Sequence, residues 1–443
     1  MKFFKSLYIG DLLFVLLAVN VLIFILAFLF PALMPAGKVM LAVTLLLLAL
    51  DGIALYRPGG GAEAERICPD RFSNGDQNEV RIKVKSSYPF VARFVLIDEL
   101  PFQFQARDFS VSIRLAPGKE EEIVYFLRPV RRGVYSFGVL NVFASGPFRL
   151  LVRRYQLDAR REVSVFPSFL ALQSYELMAK ANRIQESGIR RYRIIGHSQE
   201  FDQIRNYVEG DDLRVVNWKA TARRRQLMVN QHQEERARQI YCVIDKGRSM
   251  ELPFKGMSLL DYAINASLML SHVALREYDK AGLITYNKKV GAFLKASSHK
   301  TQLNTILQTL YREKTAYHES SLSALFAAIW RGIPRRGLIF LFTNFESLSS
   351  LRRQLFLLRR LASRHLLVVV FFEDTVLKEF HDKPAGSSDD LYTKLAIESL
   401  LMEKERIARE LRSYGVSTIV TSPASLTMDV VNKYLELKAA NRL

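Results

Sequence analysis

Two apolar runs open the chain, and beyond them the spacing of apolar positions changes twice. Residues 12–30 are almost wholly apolar, with Asn20 the one strongly polar member. Residues 39–56 form a second run that carries Asp51 near its end, and between Asp11 and Asp51 the only charged residue is Lys38. A helix needs about 20 residues to cross the hydrocarbon core of a bilayer. The pattern predicts a transmembrane helical hairpin within residues 1–58, with the Pro/Gly-containing stretch 31–37 as its turn. A cleaved signal peptide competes as an explanation of Lys2 and Lys5 ahead of an apolar stretch. The first run is longer than a signal's apolar region, and a second run follows it. Lys2 and Lys5 precede the first span, Arg57, Arg66 and Arg71 follow the second, and Lys38 lies between. The positive-inside bias then puts both termini in the cytoplasm, so the chain is expected in the cytoplasmic membrane with its soluble domains facing inward.

Over residues 62–167 the period shortens to two. Residues 80–85 alternate Val, Ile, Val with Arg, Lys, Lys, the signature of a half-buried strand. Residues 111–115, 123–127, 134–143 and 163–166 continue the pattern, and Pro117-Gly118 supplies a turn. Short strands at regular spacing predict an immunoglobulin-like β-sandwich.

Residues 168–238 read as a basic connector, densest at Arg190, Arg191, Arg193 and Arg223 to Arg225. From 239 to 443, short continuous apolar runs alternate with amphipathic stretches. Strands are expected over 240–244, 281–286, 338–342, 366–372 and 416–420. Helices are expected over 257–278, 300–312, 320–331, 349–364, 390–413 and 427–440. Strands covered on both faces belong to a parallel sheet, which predicts a doubly wound α/β domain.

Composition adds two constraints. Cys68 and Cys242 lie in different predicted domains, which argues against a disulfide framework and reads Cys242 as a small core residue. The formal net charge of +19 calls for an anionic partner or surface. Arg352, Arg353, Arg359, Arg360 and Arg364 lie along one predicted helix without an acidic residue, and Arg331, Arg335 and Arg336 precede it. Such a face is either solvated or docks onto anionic lipid or an acidic partner.

In open α/β sheets ligands bind beyond the carboxyl ends of the strands. Asp245, Gly247 and Ser249 follow the first strand there, Thr343, Asn344 and Glu346 follow the third, and Glu373 with Asp374 the fourth. This layout resembles the von Willebrand factor A domain and its metal-ion-dependent adhesion site. The pattern is degenerate: Gly247 replaces a Ser, Asn344 stands where an Asp is expected, and Ser320 or Ser321 occupies the region of the loop Thr. The candidate metal ligands that remain are Asp245 and Ser249, and magnesium is the cation that would suit them. The metal-free alternative has Asp245 capping the turn that follows it.

The segment holding Glu200, Arg205, Tyr207, Gly210, Asp211, Asp212, Arg214, Trp218, Lys219 and Arg223, followed by the strand ending at Asp245, resembles the signature of domain of unknown function 58. The resemblance covers roughly residues 60–425. It implies a von Willebrand factor A-like domain on a membrane anchor and a partnership with a MoxR-type AAA+ ATPase. Glu209, Asp211 and Asp212 also invite a hydrolase reading. Arg205, Arg214, Lys219 and Arg223 are ready counter-charges, however, and favour a structural ion-pair network. Walker-type phosphate loops and Gly-x-Ser-x-Gly turns are absent from the sequence. No aromatic stacking platform interleaves the connector's arginines, so nucleic-acid binding ranks below the rest. The expectation is a non-enzymatic, membrane-anchored interaction protein without a cofactor.

Overall fold

A computed structural model of the chain describes residues 6–106, 109–172, 201–207, 216–232, 237–315, 318–345, 347–373, 375–383 and 388–440. The fold is mixed α/β and divides into two compact units, Met1–Phe166 and Pro167–Leu443.

The first unit begins with a short strand β1 (Leu7–Ile9), then helix α1 (Asp11–Leu29), a 3-10 turn (Pro31–Leu33) and helix α2 (Met34–Tyr56). Both helices are long and apolar enough to cross a membrane, with mean hydropathies of 3.1 and 2.3. The turn is shorter than the stretch 31–37 expected from sequence. Pro35 falls in the first turn of α2, where its missing N–H has no intrahelical acceptor to lose. The two helices join through polar side chains. The Asn20 amide donates to Thr44 Oγ1 at 3.1 Å and to the Leu16 carbonyl at 2.9 Å, and both residues are buried. A polar pair of this kind is a common contact between helices in an apolar medium.

Strands β2 (Ala62–Ile67), β3 (Arg71–Ser73), β4 (Asn78–Ser86), β5 (Ala92–Asp98), β6 (Ser110–Leu115), β7 (Glu120–Leu127), β8 (Gly133–Phe137), β9 (Leu140–Ser145), β10 (Leu151–Leu157) and β11 (Arg161–Phe166) follow. They form sheets of order β1-β10-β9-β5-β6, β2-β4-β7 and β3-β11-β8. Alternation sets their faces. On β4, Val80, Ile82 and Val84 are buried, while Arg81 and Lys83 lie outside the core. Phe94 and Leu96 from β5 and Val163 and Val165 from β11 complete a shared core. Residues 134–143, expected as one strand, are two in different sheets, and the break falls at Gly138, whose N–H donates to the Glu99 carbonyl at 2.8 Å.

Helix α2 does not end as a free span. Asp51 is fully buried, and its carboxylate accepts the backbone N–H groups of Phe148 (3.0 Å), Leu150 (2.9 Å) and Leu151 (2.8 Å) in the β9–β10 turn. Four residues on, Leu55 is buried in the sandwich core. A second buried charge, Asp98, is held by the Arg66 guanidinium and by the Tyr125 hydroxyl at 2.5 Å.

In the second unit, strands β12 (Phe201–Asn206) and β13 (Met228–His232) form an antiparallel pair around helix α3 (Trp218–Arg224). The main body comprises β14 (Gln239–Asp245), a small hairpin β15 (Pro253–Phe254) and β16 (Met257–Ser258), α4 (Leu259–Arg276), β17 (Lys280–Tyr286), β18 (Val290–Ser297), α5 (Gln302–Arg312), α6 (Leu322–Gly332), β19 (Leu338–Phe342), α7 (Leu348–Arg364), β20 (Leu366–Phe372), α8 (Thr375–Asp382), α9 (Ser388–Ser413), β21 (Ser417–Thr421) and α10 (Leu426–Ala439). Its sheet runs β18-β17-β14-β19-β20-β21 among the described residues, parallel except for β18. Successive residues of β14 face opposite sides. Ile240, Cys242 and Ile244 meet α4, α5 and α10, while Tyr241 and Val243 meet α6, α7 and α9. Burial pushes the Cys242 thiol up to about 12, which leaves it a protonated core group.

The sequence pattern did not contain β18 or α8. Strand β18 is only half-buried and is interrupted by Gly291 and Lys295, so it carries no continuous apolar run. Helix α8 spans barely two turns, too few for a periodicity to register.

Candidate functional site at the carboxyl edge of the sheet

Strand β14 carries Asp245 to the end of the sheet's centre, where it is 4% exposed. A buried ionised carboxylate requires donors, and the turn that follows it and three segments distant in sequence supply them. The Gly247 N–H donates at 2.8 Å, Thr343 Oγ1 at 2.8 Å and the Tyr286 hydroxyl at 3.4 Å, and the Ser320 hydroxyl donates through a shorter contact. Burial raises the Asp245 carboxyl above the ordinary range, and the four hydrogen bonds pull against that rise. Tyr286 is fully enclosed beside it and is raised well above a free phenol, chiefly by burial and then by the Asp245 charge.

Each donor has a local cause. Tyr286 ends β17 and Thr343 directly follows β19, the two neighbours of β14, so parallel register brings them alongside Asp245. Ser320 precedes the N-cap of α6, Ser321, whose hydroxyl accepts the Ala324 N–H. Gly247 leaves the space that Ser320 fills, since a Cβ there would collide with the Ser320 hydroxyl oxygen. The alternative between Ser320 and Ser321 thus resolves: Ser320 meets the carboxylate, and Ser321 caps the helix.

Beside this cluster lies a cavity of about 310 Å³ lined by Asp245, Arg248, Ser249, Ser320, Asn344 and Arg353 among others. Asn344 is buried, and its Oδ1 finds no hydrogen-bond partner among the described residues. A second network adjoins it. Lys246 pairs with Glu313 at 2.5 Å, and Thr285 Oγ1 donates to the same carboxylate at 2.8 Å.

Magnesium binds through oxygen ligands with free lone pairs and prefers anionic ones. Here the Asp245 oxygens are already directed at protein donors, the Ser320 hydroxyl is spent on one of them, Asn344 brings no charge, and Arg248 and Arg353 share the cavity wall. Among the described residues no group of three or more His, Cys, Asp or Glu could hold a metal. The donor set does not fit magnesium. Asp245 and Ser249, the two candidate ligands, line one cavity, but Asp245 serves as the hub that ties three strand ends and a helix N-terminus together.

Gly247, Ser249, Ser320, Thr343 and Asn344 thus lie about Asp245. Glu346 lies outside the described residues, and so do Glu200, Glu209, Gly210, Asp211, Asp212, Arg214 and the side chain of Arg205. In the signature segment, Asn217 caps α3 by accepting the Ala220 N–H at 3.0 Å, and the Tyr207 N–H donates to Leu227 O at 2.8 Å. Trp218 is 69% exposed, and Lys219 and Arg223 are also exposed. Sequence reasoning missed Tyr286, Arg248 and Arg353 as members of the site. Tyr286 could have been found as the last residue of a strand neighbouring β14; the arginines reach the cavity from a 3-10 turn and a helix, which no motif marks.

Residues 203–391 match the family model described as "Protein of unknown function DUF58". This stretch is similar to that family. The uncharacterized protein YeaD of Bacillus subtilis (strain 168) is 24% identical over 249 residues, which cover 54% of this chain and 60% of YeaD. The chain thus spans about three-fifths of that relative's length. An aerotolerance-related membrane protein from Bacteroides fragilis aligns over 45% of this chain and 98% of its own, with 14% identity and a TM-score of 0.27. The CARDB domain of a Pyrococcus furiosus protein aligns over 24% of this chain and 93% of its own, with 14% identity and a TM-score of 0.17.

Proposed function

We propose that this chain is a non-enzymatic interaction protein, anchored in the cytoplasmic membrane by α1 and α2, whose second unit docks a partner at the carboxyl edge of its sheet. The reading takes that unit as a doubly wound, von Willebrand factor A-like domain facing the cytoplasm. The observation that carries it is the state of Asp245. Its four protein donors make the hub a rigid structural element rather than a reacting group. The adjoining cavity offers Ser249, Asn344 and two guanidiniums, chemistry suited to gripping a polar partner segment. The family resemblance suggests the partner, a MoxR-type AAA+ ATPase that would assemble or mature protein complexes.

The test is copurification of the full chain with a MoxR-type ATPase of its host, in detergent, with and without ATP. The reading expects nucleotide-dependent capture that Ser249→Tyr abolishes without lowering the melting temperature. Capture unaffected by Ser249→Tyr, or no capture in either state, would overturn it. So would turnover of a substrate by the pure protein that Asp211→Asn removes, which is the outcome the hydrolase alternative requires.

A further inference from the structure

Helix α7 carries an exposed phenyl ring inside a ring of arginines. Phe356 is 64% exposed, and the residues three and four positions to either side are Arg352, Arg353, Arg359 and Arg360. On a helix those four positions are the immediate surface neighbours of residue 356. The structure corrects the expectation that this face lacks acids in one respect. Arg352 pairs with Glu410 of α9 at 3.2 Å, so its charge is partly met. Arg353, Arg359 and Arg360 have no ion pair among the described residues.

The patch continues onto α6. Trp330 is 45% exposed and stacks on Phe326 with ring centroids 5.5 Å apart. The Arg364 guanidinium lies 4.5 Å from the Trp330 ring, where its N–H groups donate to the Trp330 and Pro334 carbonyls. Arg360 sits 5.5 Å from Phe356 and 6.0 Å from Phe326. Arg331, Arg335 and Arg336 are exposed nearby in sequence. The result is a surface on which apolar rings stand in water while guanidiniums lie over and between them.

We infer that this α6–α7 face docks onto an anionic lipid surface, with the Phe356 and Trp330 rings entering the headgroup region and Arg359 and Arg360 binding lipid phosphates. Interfacial protein segments combine these two features, aromatic rings at the polar–apolar boundary and basic side chains on the headgroups. A solvated basic face has no use for the exposed rings, because each costs apolar surface in water. A nucleic-acid groove would present rings open for base stacking, whereas the Trp330 and Phe356 rings here are approached by guanidiniums. The choice of lipid rests on the membrane-anchored reading given above, since a chain carrying α1 and α2 has a bilayer among its surroundings.

The experiment places an environment-sensitive fluorophore on the face of the full chain. Ser363→Cys suits it, because Ser363 is exposed and lies two turns beyond Phe356 on the same side of α7. Cys68 and Cys242 are buried and stay unlabelled. The labelled chain is reconstituted into nanodiscs of phosphatidylcholine alone or with a quarter of phosphatidylglycerol. The inference expects blue-shifted emission, brighter by about two-fold or more, only in the anionic discs. Arg359→Glu with Arg360→Glu, or Phe356→Ala, should remove that difference while incorporation is unchanged. Equal emission in both discs overturns it, and so does a difference that survives the charge reversal. A chain that enters neither disc would sink the anchoring reading separately. The same label read against vesicles of the two compositions then decides the face, with the same outcomes.

Discussion

Thr343 donates its hydroxyl to Asp245 across 2.8 Å, and this one bond ties the end of β19 to the end of β14. Removing it leaves a buried carboxylate with one donor fewer. Thr343→Val, close in shape to the native residue, should therefore destabilise the second unit by about 1–3 kcal/mol. Chemical unfolding of the detergent-solubilised chain checks it.

Restoring a hydroxyl at Gly247 should not restore a metal site. The new Cβ would collide with the Ser320 hydroxyl, so Gly247→Ser should cost about 1–3 kcal/mol through overpacking. The wild type should melt at the same temperature in excess magnesium and in chelator, because the Asp245 oxygens face protein donors. A magnesium-dependent rise in the midpoint would contradict the structural role assigned to that carboxylate.

Asp51 accepts three backbone N–H groups at the β9–β10 turn. Asp51→Ala orphans all three, and each buried unpaired donor costs on the order of 1–3 kcal/mol. The expected result is proteolysis of the sandwich under conditions where the wild type resists, detected by limited trypsin digestion of reconstituted protein. Asp51→Asn should fall between the two, since its one side-chain oxygen can still accept.

His365 introduces a pH dependence. It is 2% exposed at the end of α7, and neither ring nitrogen has a hydrogen-bond partner among the described residues. Burial first, then the Arg364 and Arg336 charges, lower its pKa from 6.5 to about 4. A base lowered on folding stabilises the folded state above its unfolded pKa, and that contribution is lost as pH falls toward the folded value. Stability should therefore decline between about pH 6.5 and 4. His365→Leu should flatten that decline, measured as unfolding midpoints across the window.

Arg66 and Asp98 form a pair buried in the sandwich. Arg66→Met leaves Asp98 charged and unbalanced, which should cost roughly 3–5 kcal/mol. The double variant Arg66→Met with Asp98→Leu should recover much of that loss, and a double-mutant cycle reads the coupling directly.

The parallel strands at 240–244, 281–286, 338–342 and 366–372 were legible in the sequence because a strand covered on both faces must be apolar at every position, and such runs stand out locally. The helical hairpin was legible for the same reason, as uninterrupted hydrophobicity. Of what Asp245 does, only the cap on its own following turn, at Gly247, was legible. Its other partners come from residues 286, 320 and 343, and only parallel register and the start of α6 bring them to one point. Asp51 shows the same limit, since a charge near the end of an apolar run looks like a membrane boundary until a turn about a hundred residues later delivers its N–H groups to it. Hydrophobic periodicity is set by near neighbours, so the chain alone determined its long, strongly patterned elements. The pairing of buried polar groups depends on which distant segments meet, and only the tertiary structure decided that.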